Sequence, residues 1–415
     1  MNGVLMAVAL GDRERTTTTH EELTHEELLS RAVALRPLLR EHAAGAEADR
    51  RVPDEVIDAI AEAGLFGLAT PERYGGHRSS VRTMLDVSAA LAEGDGSASW
   101  VVTLVTACNW LTSLFPTKAQ DEVFGADPGA RVTGVLTPTS TTVRAEGGWR
   151  VSGRWYCDSG SGLGSARSDW AVLGVPLNDT GGTVVDQGLA LVPRADLSLE
   201  DTRLMAGLRG AAADCLIGED VFVPEYRVIS VLAAIGGDRA TEREDEVLSR
   251  SAFVPLLTLL LAGPQLGLGR AALRYVTEQA GRKPVSYTFY ETQAESVAVQ
   301  LRIAEAALRI DTAALLAERA AADIDEAARR GAYPDFTRRA RVRAYTGRAV
   351  QNVLEAIDIL LNVHGAASFA ETNPLQRIWR DANTAGRHAM TDPAVALEVY
   401  GKALLGVDET ITPLV

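Results

Sequence analysis

Cysteine is scarce in this chain of 415 residues, with three in all. Cys108, Cys157 and Cys215 lie far apart and form no C-x-x-C pair, so neither a zinc site nor a disulfide framework is indicated, and a reducing, cytoplasmic setting is expected. Positive charge is also short. A net charge of -14 and a pI near 5.0 argue against nucleic acid or an anionic membrane surface as the main partner, because both require a basic face. Long apolar runs are missing too. The stretch around 253–269 is broken by proline and glycine and reads as too short for a bilayer. The opening MNGVLMAVALGDRER lacks the basic flank and small-residue cleavage pattern of a signal peptide, so a soluble protein is expected. No G-x-G-x-x-G follows a strand and no G-x-x-x-x-G-K-[ST] occurs, which leaves neither a Rossmann dinucleotide site nor a P-loop. GPQLGLGR at 263–270 is a near miss in a helical context. His20 and His25 stand five apart, on different faces of a helix, and suit a solvated surface better than a metal site. There is no internal repeat.

What is present is a folded chain, 47% hydrophobic and 23% charged, of a size for two or three structural units. Residues 1–20 end in a polar RTTTTH and read as a disordered leader. Helical periodicity follows over 21–130. Leu28, Val33, Leu35 and Leu38 begin it, and Pro53 stands at the first turn of a segment carrying Val56, Ile57 and Ile60. From 131 to 228 the texture changes to short β-type runs separated by Gly, Pro, Asn and Asp. An acidic linker then leads into 229–415, where Val297, Leu301, Ala304, Leu308 and Leu315 mark one face of a long helix. Val342, Tyr345, Ala349, Val353, Ile357 and Leu360 mark a face of another. The order predicts an α+β fold, mainly α: an N-terminal helical domain, a central β-barrel or sandwich, and a C-terminal four-helix bundle.

Five motifs in order give this layout a family. PERYGG at 71–76, GDGSASW at 94–100, GGWRVSGRWYCDSG at 147–160, GLRGAAADCLIGEDVFVP at 207–224 and NPLQRIWRDA at 373–382 resemble the landmarks of the acyl-CoA dehydrogenase superfamily across nearly the whole chain. The resemblance implies a flavin between the β domain and the C-terminal bundle, and a homotetramer. Dehydrogenases of that type place a catalytic glutamate shortly after R-D-A, and here the position falls on Ala389, which accepts no proton. Glu278 stands where an arginine would approach the cofactor diphosphate, and HGAAS at 364–368 replaces a glycine-richer turn. FMN is therefore as compatible as FAD. CNWLTSLFP at 108–116, the W-x-x-[SD]-S-G form at 155–160 and RDANTAGRH at 380–388 resemble instead the flavin-dependent monooxygenase branch. That branch implies reduced flavin from a separate flavin reductase, O2 as co-substrate and transfer of one oxygen atom. The C-terminal segment from ETNPLQ onward is similar to the amino-sugar nitrososynthases, which implies N-oxidation of the amino group of a nucleotide (TDP)-linked deoxyamino sugar in antibiotic biosynthesis.

Within that frame His388 is the leading catalytic candidate, as a partner for the oxygenated flavin or a proton acceptor; its plainer role is capping within the last helices. Ser159 is the second, with Asp158 and Gly160 beside it at a hairpin end that would meet the flavin, although such residues often serve only the turn. Leu136 and Thr137 match a flavin-contacting segment, and Trp155 is expected to pack beneath the ring. Asn109 and Trp110 are candidates for substrate contact, with a helix-core role favoured. Arg377 and Arg380, spaced i, i+3, are candidates for a substrate phosphate, with a structural role favoured. Arg341 and Arg343 are expected to be solvated. The competing functions are a two-component phenol-type hydroxylase, a true acyl-CoA dehydrogenase and a non-catalytic scaffold of the same fold.

Overall fold

A computed structural model of the chain describes residues 23–77, 79–156, 167–179, 181–201, 205–211, 214–242 and 246–415. Thr24 starts the first helix with a capping box: its hydroxyl accepts from the Glu27 N–H while the Glu27 carboxylate accepts from its own N–H. Helix α1 (His25–Asp49) turns Leu28, Ala32, Leu39, Ala43 and Ala46 to the core. Val33, expected on that face, is exposed. Pro53 leads into α2 (Asp54–Glu62), whose Val56, Ile57 and Ile60 are buried. Ser80 and Asp95 then cap α3 (Val81–Ala92) and α4 (Gly96–Ser113) by accepting from Thr83 and Ala98 N–H. A short α5 (Thr117–Gln120) precedes the strands.

Eight strands follow: β1 (Val132–Val135), β2 (Ser140–Ala145), β3 (Gly148–Tyr156), β4 (Trp170–Asn178), β5 (Val184–Pro193), β6 (Ser198–Asp201), β7 (Asp214–Pro224) and β8 (Val228–Ser230). They form two four-stranded sheets, ordered β1-β4-β5-β8 and β2-β3-β7-β6. Only the β1/β4 pairing is parallel among these. Period-two alternation in β4 buries both of its faces. Ala171, Leu173 and Val175 meet Trp149, Trp155 and Leu216 between the sheets, whereas Val172 joins the helical core. The first sheet is thus wedged between the second sheet and the helices.

Helices α6 (Val231–Gly236), α7 (Phe253–Leu260), α8 (Ala262–Ala280), α9 (Val297–Arg330), α10 (Phe336–His364), α11 (Pro374–Ala385) and α12 (Pro393–Leu405) complete the chain. The stretch Phe253–Ala280 is in fact long and apolar enough to cross a membrane by length and composition, but 83% of its apolar window is buried by the rest of the protein. It is the central core element here.

Two expectations are corrected. In α10 the predicted face is buried at Val342, Ala349, Val353, Ile357 and Leu360, but in α9 the predicted face points outward. Val297, Leu301, Leu308 and Leu315 are each 60–67% exposed, while the core is met by small residues such as Ala306, Ala313, Ala317 and Ala320. Apolar periodicity marks a face without saying what covers it, and alanine is what permits the close approach of α9 to α10. Nor are Arg341 and Arg343 solvated. Arg341 pairs with Asp323 at 2.8 Å, and Arg343 is buried with its guanidinium donating to the Leu414 carbonyl.

Candidate active site

Helix α4 is the axis of the site. Of its 18 residues only Leu104 and Ala107 escape full burial, and their i, i+3 spacing puts them on one stripe with Trp100 and Cys108. At one end of the stripe the Trp100 ring lies 6.5 Å from the His388 ring. At the other, Cys108 Sγ lies where a Cβ on Gly134 of β1 would come within 3.0 Å. The two ends are about 12 Å apart at 1.5 Å per residue. The open Leu104/Ala107 surface between them is an apolar floor.

The β1 wall is held from both sides. Asn109 Oδ1 accepts from Val132 N–H at 3.1 Å, and Gln187 Nε2 donates to the Leu136 carbonyl at 2.7 Å. Beyond β1, Leu136 and Thr137 cross directly over Gly174 of β4, where a Cβ would lie 2.1 Å from the Leu136 oxygen. Only glycine permits that crossing. Leu136 is half-buried and Thr137 is exposed, so both remain available to a ligand.

His388 stands beside Trp100, at the start of a 3-10 turn over Ala389–Thr391. Its Nδ1 accepts from Met390 N–H at 3.2 Å, so the neutral ring carries its proton on Nε2. Nε2 has no partner among the described residues. Burial holds the imidazole pKa below its ordinary value, which keeps the ring neutral near pH 7. His388 therefore both caps the turn and presents an N–H to the cleft. Ala389 follows it, so the place of the dehydrogenase base carries no proton acceptor.

Other expected site residues have different work. Asn109 is buried, with Nδ2 donating to the Phe66 carbonyl and Thr70 Oγ1 at 3.2 Å each, and every polar atom of its side chain is engaged by the protein. Trp110 is buried against Phe253 and donates to the Leu248 carbonyl at 3.0 Å. Trp155 packs between the two sheets and donates to the Gly174 carbonyl at 2.8 Å, as part of the sandwich core. Arg380 donates to Gln376, the Ala206 carbonyl and Glu47, and Arg377 lies 3.8 Å from the same Glu47. Both guanidinium groups thus meet groups of the protein itself. Asp158, Ser159 and Gly160 lie outside the described residues.

The sequence reading missed a buried acid pair behind the site. Asp381 accepts from Leu208 N–H at 2.6 Å, and its carboxyl is pushed up to about 7 by burial and by Asp95, against the pull of that N–H, Arg377 and Arg380. Burial likewise raises Asp95, the cap of α4. Both belong to motifs noticed as landmarks, GDGSASW and RDA, where an aspartate at a helix cap was the available signal.

An apolar floor with a backbone rim at 136–137 and a neutral N–H donor at its Trp100 end suits a planar heterocycle with polar edges, which is the chemistry of a flavin ring. Residues that would hold it are Leu104, Ala107, Leu136, Thr137 and His388. Comparison with known proteins agrees. Residues 24–125 match the acyl-CoA dehydrogenase N-terminal domain and residues 259–393 the acyl-CoA dehydrogenase C-terminal domain. The chain is 32% identical to the flavin-dependent monooxygenase oxygenase subunit HsaA of Rhodococcus jostii, covering 92% of this chain and 100% of that protein. It is 30% identical to the oxygenase component of FADH(2)-dependent resorcinol hydroxylase from a Rhizobium strain, covering 92% and 95%. Among solved structures, XiaF from Streptomyces sp. in complex with FADH2 and glycerol superposes with a TM-score of 0.87 at 37% identity, covering 94% of this chain and 97% of that one.

Proposed function

Because this chain belongs to the oxygenase components of the two-component flavin-dependent monooxygenases, which share the acyl-CoA dehydrogenase fold, we propose that it hydroxylates a phenol-type aromatic substrate. Reduced flavin and O2 are its cofactor and co-substrate, and a separate reductase supplies the flavin. Bound reduced flavin provides two electrons to O2, so that one oxygen atom enters the substrate C–H bond and the other leaves as water. The observation that carries the reading is the lining of the cleft: Leu104 and Ala107 offer an apolar surface, and the Nε2–H of His388, beside the buried Trp100, is the uncommitted polar group there.

Each residue then has a defined task. The floor, with the flavin ring on it, excludes water, which would otherwise divert the activated oxygen to H2O2. His388 donates Nε2–H to the phenol oxygen, favouring the phenolate, whose ortho carbon is the more electron-rich. Met390 N–H keeps the proton on that nitrogen. The resorcinol hydroxylase likeness supports an aromatic substrate. An amino-sugar N-oxygenase would share fold and flavin but is less supported, since the arginine pair expected to hold its nucleotide phosphates is committed to Glu47 and the Ala206 carbonyl. We also assign the exposed Val297, Leu301, Leu308, Leu315 seam of α9 to contact with further copies of the chain, in line with the expected homotetramer.

The test is a substrate panel of phenols and nucleotide amino sugars, run with a generic flavin reductase under 18O2. A hydroxylated phenol carrying one 18O is the expected product. Turnover confined to the amino sugars would overturn the aromatic assignment.

A further inference from the structure

A second site lies at the other end of α4. A cavity of about 710 Å3 opens between the 69–80 turns, the 246–251 segment before α7 and the last turns of α9. Ser113 is its α4 wall, roughly 20 Å from Trp100 at 1.5 Å per residue of helix. Trp110, tied to the Leu248 carbonyl, and Asn109, tied to Thr70, close off the side toward the β1 wall. This space is separate from the flavin cleft and has no role in the hydroxylation above.

Its polar groups fall into two classes. The acids are committed: both Asp325 oxygens accept from the N-terminal amides of α3, Val81 at 2.8 Å and Arg82 at 3.2 Å, while Glu72 and Glu246 have partners within the protein. The donors are not. Ser79 and Ser251 are 7% and 6% exposed, both line the cavity, and neither hydroxyl has a hydrogen-bond partner among the described residues. The Arg73 Nε–H, which can only donate, is also buried without an acceptor. Arg329 stands exposed at the rim with no ion pair among the described residues. A buried donor without an acceptor is destabilising unless something else supplies the acceptor, and three buried donors around one cavity, one of them cationic, with a second guanidinium at the rim, indicate what that is.

We propose that this cavity binds a small organic anion, a carboxylate carried on an apolar ring or chain. The carboxylate would take the serine hydroxyls and the two guanidinium groups, and the apolar body would lie against Ala69, Val247 and Ala328.

Benzoate is the probe, titrated calorimetrically into the flavin-loaded chain, with benzyl alcohol as the uncharged control. Saturable binding of one benzoate per chain is expected, with benzyl alcohol at least about tenfold weaker. Ser251→Ala and Arg329→Gln should each weaken benzoate by about tenfold, the loss of one hydrogen bond to a charged group. Ser251→Ala should not lower Tm, because it removes an unsatisfied hydroxyl; a purely structural serine would show the reverse. Arg329 is exposed, so its variant folds in any case. The proposal is overturned by absence of benzoate binding, by equal binding of benzyl alcohol, or by unchanged affinity in both variants. It also falls if His388→Ala weakens benzoate while Ser251→Ala does not, since the anion would then be occupying the flavin cleft.

Discussion

Replacing Asp381 by asparagine tests the buried acid pair most directly. Burial and Asp95 raise the Asp381 carboxyl from the ordinary 3.8 to about 7, so the folded protein holds a proton that the unfolded chain has already released across that window. Stability contributed by this group is full at low pH, falls as pH rises from about 4 to about 7, and is level above that. At about 1.4 kcal/mol per pH unit the cost in the parent reaches on the order of 4 kcal/mol by pH 8, partly shared with Asp95 because the two titrate together. Asparagine mimics the protonated acid and still accepts from Leu208 N–H. The difference in unfolding free energy between Asp381→Asn and the parent should therefore widen in favour of the variant by roughly 2–3 kcal/mol between pH 5 and pH 8. Denaturant titrations of both proteins at the two pH values measure it. If the variant is less stable by the same amount at both, Asp381 is an ionised partner of Arg377 or Arg380 and the reasoning fails.

Four further outcomes follow from the site and its supports. His388→Ala should lower kcat by about 10²–10³-fold. Since burial keeps the ring neutral below its ordinary pKa of 6.5, the acidic limb of kcat in the parent should lie under that pH; a limb above it would contradict the assignment. Ala107→Phe fills the open stripe and should weaken reduced-flavin binding by tenfold or more without a fall in Tm, and intact binding by fluorescence titration would remove Ala107 from the floor. Asn109→Leu strands the Val132 N–H and Phe66 carbonyl and should cost about 2–4 kcal/mol in denaturant unfolding; unchanged stability with a raised KM would mean substrate contact instead. Leu301→Glu with Leu308→Glu should dissociate the assembly in light scattering, and an unaltered mass would show the α9 seam to be uncovered in solution.

Legibility in the sequence divided along physical lines. Elements whose own periodicity decides them were readable: α2 from Val56, Ile57 and Ile60, α10 from its Val342–Leu360 face, and the strands from their punctuated β-branched runs. The fold followed, because five ordered motifs tie those elements to one family. Which partner a face meets was not readable, and so the outward direction of the α9 seam came only from the structure. The partners of Asn109, Trp110 and Trp155 were unreadable for a related reason. Each carries groups suited to a ligand, but their partners are the Val132 N–H and the Leu248 and Gly174 carbonyls, main-chain atoms brought near by long-range packing. Arg377 and Arg380 met Glu47, more than 300 residues away in sequence. His388 was found through its motif, yet its tautomer could only come from geometry.

The tautomer rests on the main-chain amide of residue 390 and on nothing in the methionine side chain. A natural or engineered variant is therefore free to exchange Met390 for another apolar side chain at modest cost in packing, because every such residue brings the same N–H. Proline alone brings none. The substitution would leave the net charge and the residues of the cleft intact while letting the imidazole proton move to the other nitrogen. A survey of related chains that scored only side chains would pass such a variant as harmless.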